Sequence, residues 1–458
     1  MRATLRGFTT GRPLTASVSW LVSLCVMLGP VVSAGDLPTG AQVVHGQVGI
    51  MVNGTLMQID QATQNAILNW ESFSIGSGYG VHVNQPSASS AMLSRVIGAD
   101  QSRILGALQA NGIFYLVNRN GVFFGPDSTV DVGALIASTL DITDEDFLAA
   151  KQVFQGDSSA SIMSNGRISA EKFAVLLARS LTNSGSIAAP HVEMASAGRM
   201  VVDRVAGGRI MVDFSRLMGD VVNEGAVDVS GKVGGKAALI GKRVAQLGRV
   251  SADGSVGGGG SVRIHADDVI DIGADSKTSA NAGSVGDGGQ VIAFSPEMAL
   301  FRKGAVIEAK GGATAGDGGF VEVSGQQHVE IDGRVDAGAS NGEAGTFLID
   351  PTDIQIISAV GDLPPDLAVN PQTFTPDKDT NTVQADTIEG YLESGTSVTL
   401  DTTAAAYSGP LGGAITQDAD APIKPGAGVV PVTLTLNARD HIELNGGVDG
   451  SDLGQTLA

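Results

Sequence analysis

The chain has 458 residues and a formal net charge of −20; 43% of the residues are hydrophobic, 4% are aromatic and 63 are glycine. That apolar share excludes general disorder, and glycine without a G-x-y period excludes collagen. The acidic balance disfavours a nucleic-acid or anionic-membrane surface, which needs Lys/Arg patches, so no nucleic-acid partner is expected.

In chain order, a basic stretch from Arg2 to Arg12 precedes an apolar run from Val18 to Leu28, then Gly29-Pro30 and the small-residue pattern Val32-Ser33-Ala34. Residues 1–34 read as a signal peptide cleaved after Ala34, which implies the Sec translocon and signal peptidase. The run is too short to span a bilayer, and no later run of about 20 apolar residues follows. The single cysteine, Cys25, lies in this leader. The mature chain is therefore expected to lack thiols and disulfides, which suits passage through an oxidising compartment.

Thr39 to Leu140 reads as strands and turns, with short apolar runs such as Ile113 to Val117 and Val122 to Phe124. Thr143 to Phe154 is predicted as a helix. Thr143 is placed to cap it, Asp146 occupies the capping-box position, and Phe147, Leu148 and Phe154 form one apolar face.

From about Asn165 the chain repeats. Asn165, Asn183 and Asn223 each open an Asn, Gly, β-branched pattern, at intervals of 18 (183 − 165) and 40 (223 − 183), so the unit is expected to be near 20 residues. A second pattern, Gly-Gly-x-Val, ends at Val262, Val291 and Val321, which are 29 and 30 residues apart. Fixed periods of this size signal a solenoid whose coils bury their inner faces by stacking. Segments such as Val321-Glu322-Val323 alternate in and out. Corner Gly and Asn tolerate left-handed backbone, and Asn side chains can stack into amide ladders between coils. At about 4.8 Å per coil the rod is expected to reach on the order of 80 to 100 Å.

Five prolines between Pro351 and Pro376 mark Pro351 to Thr380 as an irregular connection. Asp386 to Leu392 is predicted as a short helix closed by Gly395. Strand signals return at Val398 to Leu400 and Val432 to Leu436, and Ile442 to Gly446 opens another repeat-like unit. The expected division is 35–160 for an N-terminal domain, 161–350 for repeats, 351–395 for the connection and 396–458 for a further repeat.

Signals for chemistry are weak. Gly338 to Gly342 matches G-x-S-x-G but lies in a glycine-rich turn without the helix an esterase elbow needs. Gly286-Asp287-Gly288-Gly289 and Gly316-Asp317-Gly318-Gly319 are 30 residues apart, not nine, and read as corner turns rather than calcium repeats. His45, His82, His191, His265, His328 and His441 are scattered, with no metal-binding spacing. Asp267, Asp268 and Asp271 form the best acidic cluster, read as a solvated edge. No catalytic residue, metal or cofactor is expected, and the chain reads as a non-enzyme.

Two stretches carry a family resemblance. The first is VNQPSASSAMLSRVIGADQSRILGALQANGIFYLVNRNGVFFG, Val83 to Gly125, preceded by NWESFSIGSG with Asn69, Trp70 and Phe73. The second is GDGGFVEVSGQQHVEIDGRVDAGASNGEAGTFLIDPTDIQI, Gly316 to Ile356. Together they resemble the filamentous haemagglutinin-like exoproteins, the adhesins and haemolysins exported by two-partner secretion in Gram-negative bacteria. The family has Asn-Pro-Asn-Gly where this chain has Asn118-Arg119-Asn120-Gly121, and Leu-Asn-Arg-Val where it has Leu93-Ser94-Arg95-Val96. Arg119 and Ser94 depart from the pattern; both Asn and the Gly of the turn are kept.

The resemblance implies an all-β fold, a right-handed parallel β-helix with an N-terminal β cap. It implies recognition by an outer-membrane β-barrel transporter with periplasmic docking domains, and a secreted or cell-surface location. Asn118, Asn120 and Gly121 would be the secretion-motif turn, with Asn69, Trp70 and Phe73 a second marker. Each could be structural or could touch the transporter. The leading function is an adhesin for host, bacterial or other surfaces. The alternatives are the carrier stem of a haemolysin or contact-dependent toxin and, from another class, a β-helical polysaccharide-active enzyme. Members of the family are far longer, so the chain, ending at Ala458, reads as a truncated gene, a fragment or a short secreted stump.

Overall fold

The computed structural model describes residues 36–205, 209–358, 381–403, 411–426 and 431–451. The leader with Ala34 and most of the Pro351 to Thr380 connection lie outside them. The described residues build a parallel β-helix with three strand faces, in which each strand pairs with its equivalent one coil on.

The period-2 alternation puts one residue of each strand inward. On the first face Leu108, Val130, Ile168, Ile187, Val227, Val250, Thr278, Ile307 and Val335 stack in register through the core. All are buried and most are β-branched, the side chains that pack best on a pleated surface.

Among the described residues thirteen strands stack on the second face, from Asn65–Trp70 to Leu434–Asn437. At about 4.8 Å per rung that is roughly 60 Å, shorter than the 80 to 100 Å expected. The expected unit was too short. Asn183 and Asn223 sit on adjacent rungs, so their spacing of 40 is one coil, not two. The surplus is an excursion, an antiparallel hairpin of Ala197–Val205 and Arg209–Leu217 that leaves the stack.

The amide ladder forms inside the core. Asn183 Nδ2 donates to Asn223 Oδ1 at 2.8 Å, and Asn223 Nδ2 donates to Gln246 Oε1 at 2.7 Å. All three are fully buried, so each amide depends on the next coil for its partner.

Some corner glycines are left-handed as expected, with Gly286 at φ +116° and Gly316 at φ +130°, but others have a different cause. Gly185, Gly225 and Gly248 stack with no left-handed φ, and a Cβ on each would run into the carbonyl oxygen of Gly166, Gly185 and Gly225 respectively. Gly260, Gly289, Gly319 and Gly345 repeat this against Gly235, Gly260, Gly289 and Gly319. Close approach of backbones, not backbone angle, selects glycine there.

The start of the solenoid is capped. Gln42–His45 runs antiparallel to Asn65–Trp70, and Val48–Asn53 forms a hairpin with Leu56–Gln61 through Gly54 at φ +60°.

A second hydrophobic core lies outside the second face. Ile67, Leu93, Tyr115, Ile136 and Val175 form an outward column on successive rungs and are buried. The hairpin, a strand Val153–Gln155 and a helix α1, Asp144–Leu148, belong to this outer layer. The predicted helix from Thr143 to Phe154 is therefore cut to five residues. Thr143 Oγ1 does accept the N–H of Asp146 at 3.1 Å, but Ala150 turns left-handed at φ +56° and Phe154 continues as a strand. Tyr115 explains the break. Its ring meets Phe147 edge-on at 5.2 Å and stacks with Phe154 at 6.5 Å, contacts made by a helix and a strand together.

Near the other end, Ile354–Ile357 forms a strand inside the segment read as irregular. Thr382–Gln384 then inserts between His328–Ile331 and Ile354–Ile357, stepping back one rung. Helix α2, Ala385–Glu393, ends at Gly395 with φ +82°, as its sequence indicated. Tyr391 Oη anchors it to Gly333 O at 2.6 Å. Among the described residues no helix is long and apolar enough to cross a membrane.

Candidate functional site

The Asn-Arg-Asn-Gly segment closes the long strand Ala107–Asn118. Gly121 N–H donates to Asn118 O at 3.0 Å, which makes a tight turn, and Gly121 has φ +106°, a conformation that favours glycine. Asn118 is fully buried. Its Nδ2 donates to Asp100 O and Ser102 Oγ, both at 2.9 Å, and its Oδ1 accepts Asn120 N–H at 2.9 Å. Asn120 Nδ2 donates to Gly98 O at 2.8 Å and to Asn118 Oδ1 at 3.2 Å. The two asparagines thus tie the turn to residues 98–102 of the preceding coil, using both ends of the Asn118 amide.

Arg119 replaces the family proline at the exposed apex. Its carbonyl accepts Ser158 Oγ at 2.6 Å and its guanidinium lies 3.8 Å from Asp157. The turn therefore faces the segment after Val153–Gln155, and the arginine costs the turn none of its bonds.

The second marker lies in the same column. Trp70, Val96 and Asn118 occupy successive rungs in register. Trp70 and Phe73 are buried, with rings 5.3 Å apart, and Phe73 reaches Phe114 at 5.7 Å. In the folded chain these two are core side chains. Asn69 stands apart, with Oδ1 3.5 Å from Arg95 Nη1.

Arg95 is the site residue that sequence reasoning missed, although it lies in the Leu93-Ser94-Arg95-Val96 element. Its guanidinium donates to Asp141 at 3.0 Å, Asp144 at 2.7 Å and Ile142 O at 2.6 Å. Burial alone would lower its pKa, but Asp144 and Asp141 outweigh that and raise it. The arginine fastens the connection entering α1 to the solenoid, so it holds the outer layer in place. Ser94 is fully buried in register with Leu68 and Leu116, and its hydroxyl has no partner among the described residues.

Elsewhere the candidate residues disperse. Asp271 is not on a solvated edge: it is fully buried and holds Arg302 in a bidentate pair at 2.8 and 2.9 Å. A charge can be buried there because the fork-shaped cation satisfies both oxygens. Asp268 lies 3.3 Å from Lys242. Asp287 Oδ1 accepts Asp317 N–H at 2.9 Å and Asp317 Oδ1 accepts Glu343 N–H at 2.8 Å, so these aspartates join corner turns of adjacent coils. Ser340 precedes a strand, Thr346–Ile349, not a helix.

The described residues thus form a capped parallel β-helix with an outer layer over its first coils. Residues 34–212 match the family described as TPS secretion domain. These residues form a two-partner secretion domain. Such a domain implies recognition by an outer-membrane transporter of the two-partner type.

The Heme/hemopexin-binding protein of Haemophilus influenzae strain Rd is 35% identical over 164 residues, 34% of this chain and 18% of the relative. A second Heme/hemopexin-binding protein of Haemophilus influenzae is 37% identical over 111 residues, 24% of this chain and 12% of the relative. The chain thus matches less than a fifth of either relative's length. The crystal structure of the HMW1 secretion domain from Haemophilus influenzae superposes with a TM-score of 0.63 at 18% identity, over 90% of this chain and 99% of that one. At that identity the likeness concerns the fold.

Proposed function

We propose that this chain is a secreted or surface-exposed, filamentous haemagglutinin-like adhesin without enzymatic activity. The observation that carries the reading is the secretion domain at 34–212, whose core is shared with the stacked coils that follow it. A stacked rod extends reach at low cost in sequence, because each coil needs only its neighbours. Such a rod presents an outer surface to host or bacterial ligands. The alternative, in which the rod is the stem of a toxin, differs only in the domain carried beyond the rod.

Export is tested by expressing the full chain with and without its neighbouring transporter and assaying the medium for protein cleaved after Ala34. Transporter-dependent appearance is expected; retention in the periplasm under both conditions would refute the reading. Exported protein is then expected to bind host or bacterial cells, and absence of binding would remove the adhesin role while leaving export intact.

The turn is expected to matter in export. Asn120→Asp replaces a donor amide with a carboxylate facing Gly98 O and Asn118 Oδ1, two acceptors. The extracellular amount should fall more than synthesis does. Unchanged export would show that the turn is dispensable.

A further inference from the structure

The turns that join the first face to the second carry an apolar ridge in the later coils. Val233, Val256 and Val285 stand there on three successive coils and are 63%, 58% and 53% exposed. Val256 N–H donates to Lys232 O at 3.2 Å and Val285 N–H to Val256 O at 3.0 Å, so these turns stack at the rung spacing. We infer that this ridge is the contact surface for a second copy of the chain, the two copies pairing antiparallel about a two-fold axis at Val256. The assignment goes beyond export and does not rest on it.

Three observations select that partner. First, single exposed apolar residues are ordinary, but three on adjacent coils about 4.8 Å apart make a continuous strip. The strip is held firmly, because its turns are hydrogen-bonded from coil to coil: Ser255 N–H donates to Gly231 O and Gly283 N–H to Gly257 O. The N–H groups of Val256 and Val285 are spent in the same way, so a partner meets side chains rather than a free strand edge.

Second, the two ends of the ridge carry opposite charges. Lys232 adjoins Val233, and Asp287 lies two residues past Val285; both are exposed. Neither has an ion-pair partner among the described residues. Asp287 Oδ1 accepts the Asp317 N–H at 2.9 Å, which fixes the carboxylate at its end of the ridge.

Third, a two-fold axis matches these ends. Antiparallel pairing sets Val233 against Val285 and Val256 against its own copy, and it brings Lys232 level with Asp287 twice, once on each side of the axis. Parallel pairing would set Lys232 against Lys232 and Asp287 against Asp287, which like charges oppose. An isologous contact of this kind closes at two chains. The strip is small and the net charge of −20 opposes approach, so the contact is a weak one.

The test is sedimentation equilibrium of the purified chain, from micromolar to millimolar concentration at about 0.15 M salt. The weight-average mass is expected to rise toward two chains and no further. Val256→Asp sets two like charges face to face on the axis and is expected to weaken association at least about tenfold. Lys232→Glu is expected to weaken it about fivefold, and adding Asp287→Lys to that variant is expected to restore it. Val256 and Lys232 are exposed, so both single variants should melt as the wild type does. A double variant that melts low leaves the decision to the two single variants. The inference is overturned by a mass that stays at one chain, by growth past two, by Val256→Asp or Lys232→Glu associating as the wild type does, or by a double variant that melts normally and regains nothing.

Discussion

The first coils and the later coils solve the same stacking problem differently. Up to about residue 195 the second face is buried on both sides, by the inner core and by the outer core around Tyr115, Phe147 and Phe154. Farther along, the outer side carries Arg263, Ile292 and Glu322 on successive rungs, exposed or half-exposed, and a single core holds the coil. The change begins at Glu193, which follows Val175 in the outward column. Its buried carboxyl is pushed up by desolvation, with His191 pulling the other way. Tight glycine corners run through both regions, from Gly106 and Gly166 to Gly319 and Gly345, and the later coils add a cross-coil charge ladder. The secretion segment thus differs in having side-chain packing on both sides of the second face, whereas the repeats are packed on one.

The largest expected effect lies at a glycine corner, the device that both regions share. A Cβ on Gly289 would meet Gly260 O, and both belong to the backbone, so neither can yield. Gly289→Val is expected to cost at least about 3 kcal/mol, read by chemical denaturation. A cost below about 1 kcal/mol would show that the corners are not close-packed.

Next in size is the outer core. Phe154→Ala should cost about 3 kcal/mol. The loss should stay local: hydrogen exchange should speed up in the hairpin and in Val153–Gln155 but not in the coils after residue 260. Uniform acceleration along the chain would remove the distinction between the two regions.

The charge ladder sharpens the comparison through pH. Burial alone would raise the Glu308 pKa, but hydrogen bonds from Lys277 and Asn281 and the charge of Lys310 outweigh it and hold it at about 2, against an ordinary value of 4.5. A depressed carboxylate pKa contributes stability that is fully present above 4.5 and is lost as pH falls through about 2. Glu308→Gln should therefore cost about 2 kcal/mol at neutral pH and almost nothing near pH 2. Equal destabilisation at both pH values would assign the effect to packing.

The smallest expected effect has the opposite sign. Ser94→Ala removes a buried, unpaired hydroxyl between Leu68 and Leu116, and should stabilise the chain by about 1 kcal/mol in thermal melts. Destabilisation would mean that the hydroxyl has a partner after all.

Much of the fold was legible along the chain. The repeats of Gly-Gly-x-Val gave the stacking, because residues 262, 291 and 321 do lie on successive rungs. Asn183 and Asn223 were legible as a ladder, yet their spacing misled, because an excursion and a second coil add residues in the same way. The helix from Thr143 had a correct cap and a wrong length. Nothing in one dimension says that Phe147 and Phe154 reach the same tyrosine from different elements. Asp271 read as a surface acid because its partner Arg302 lies one coil away, 31 residues along.

The features that the sequence determined by itself are therefore those that one coil repeats: inward β-branched residues, small corner residues and the Asn118–Gly121 turn, all set by local backbone geometry and alternation. The features that only the tertiary structure decided are those that one coil receives from another: the inward role of Trp70, the ion pairs of Arg95, the burial of Asp271, the outer layer over the first coils, and the close backbone approach at the corner glycines. Those depend on through-space neighbours roughly one or two coils away, and a linear pattern carries no record of which backbone comes to rest against which.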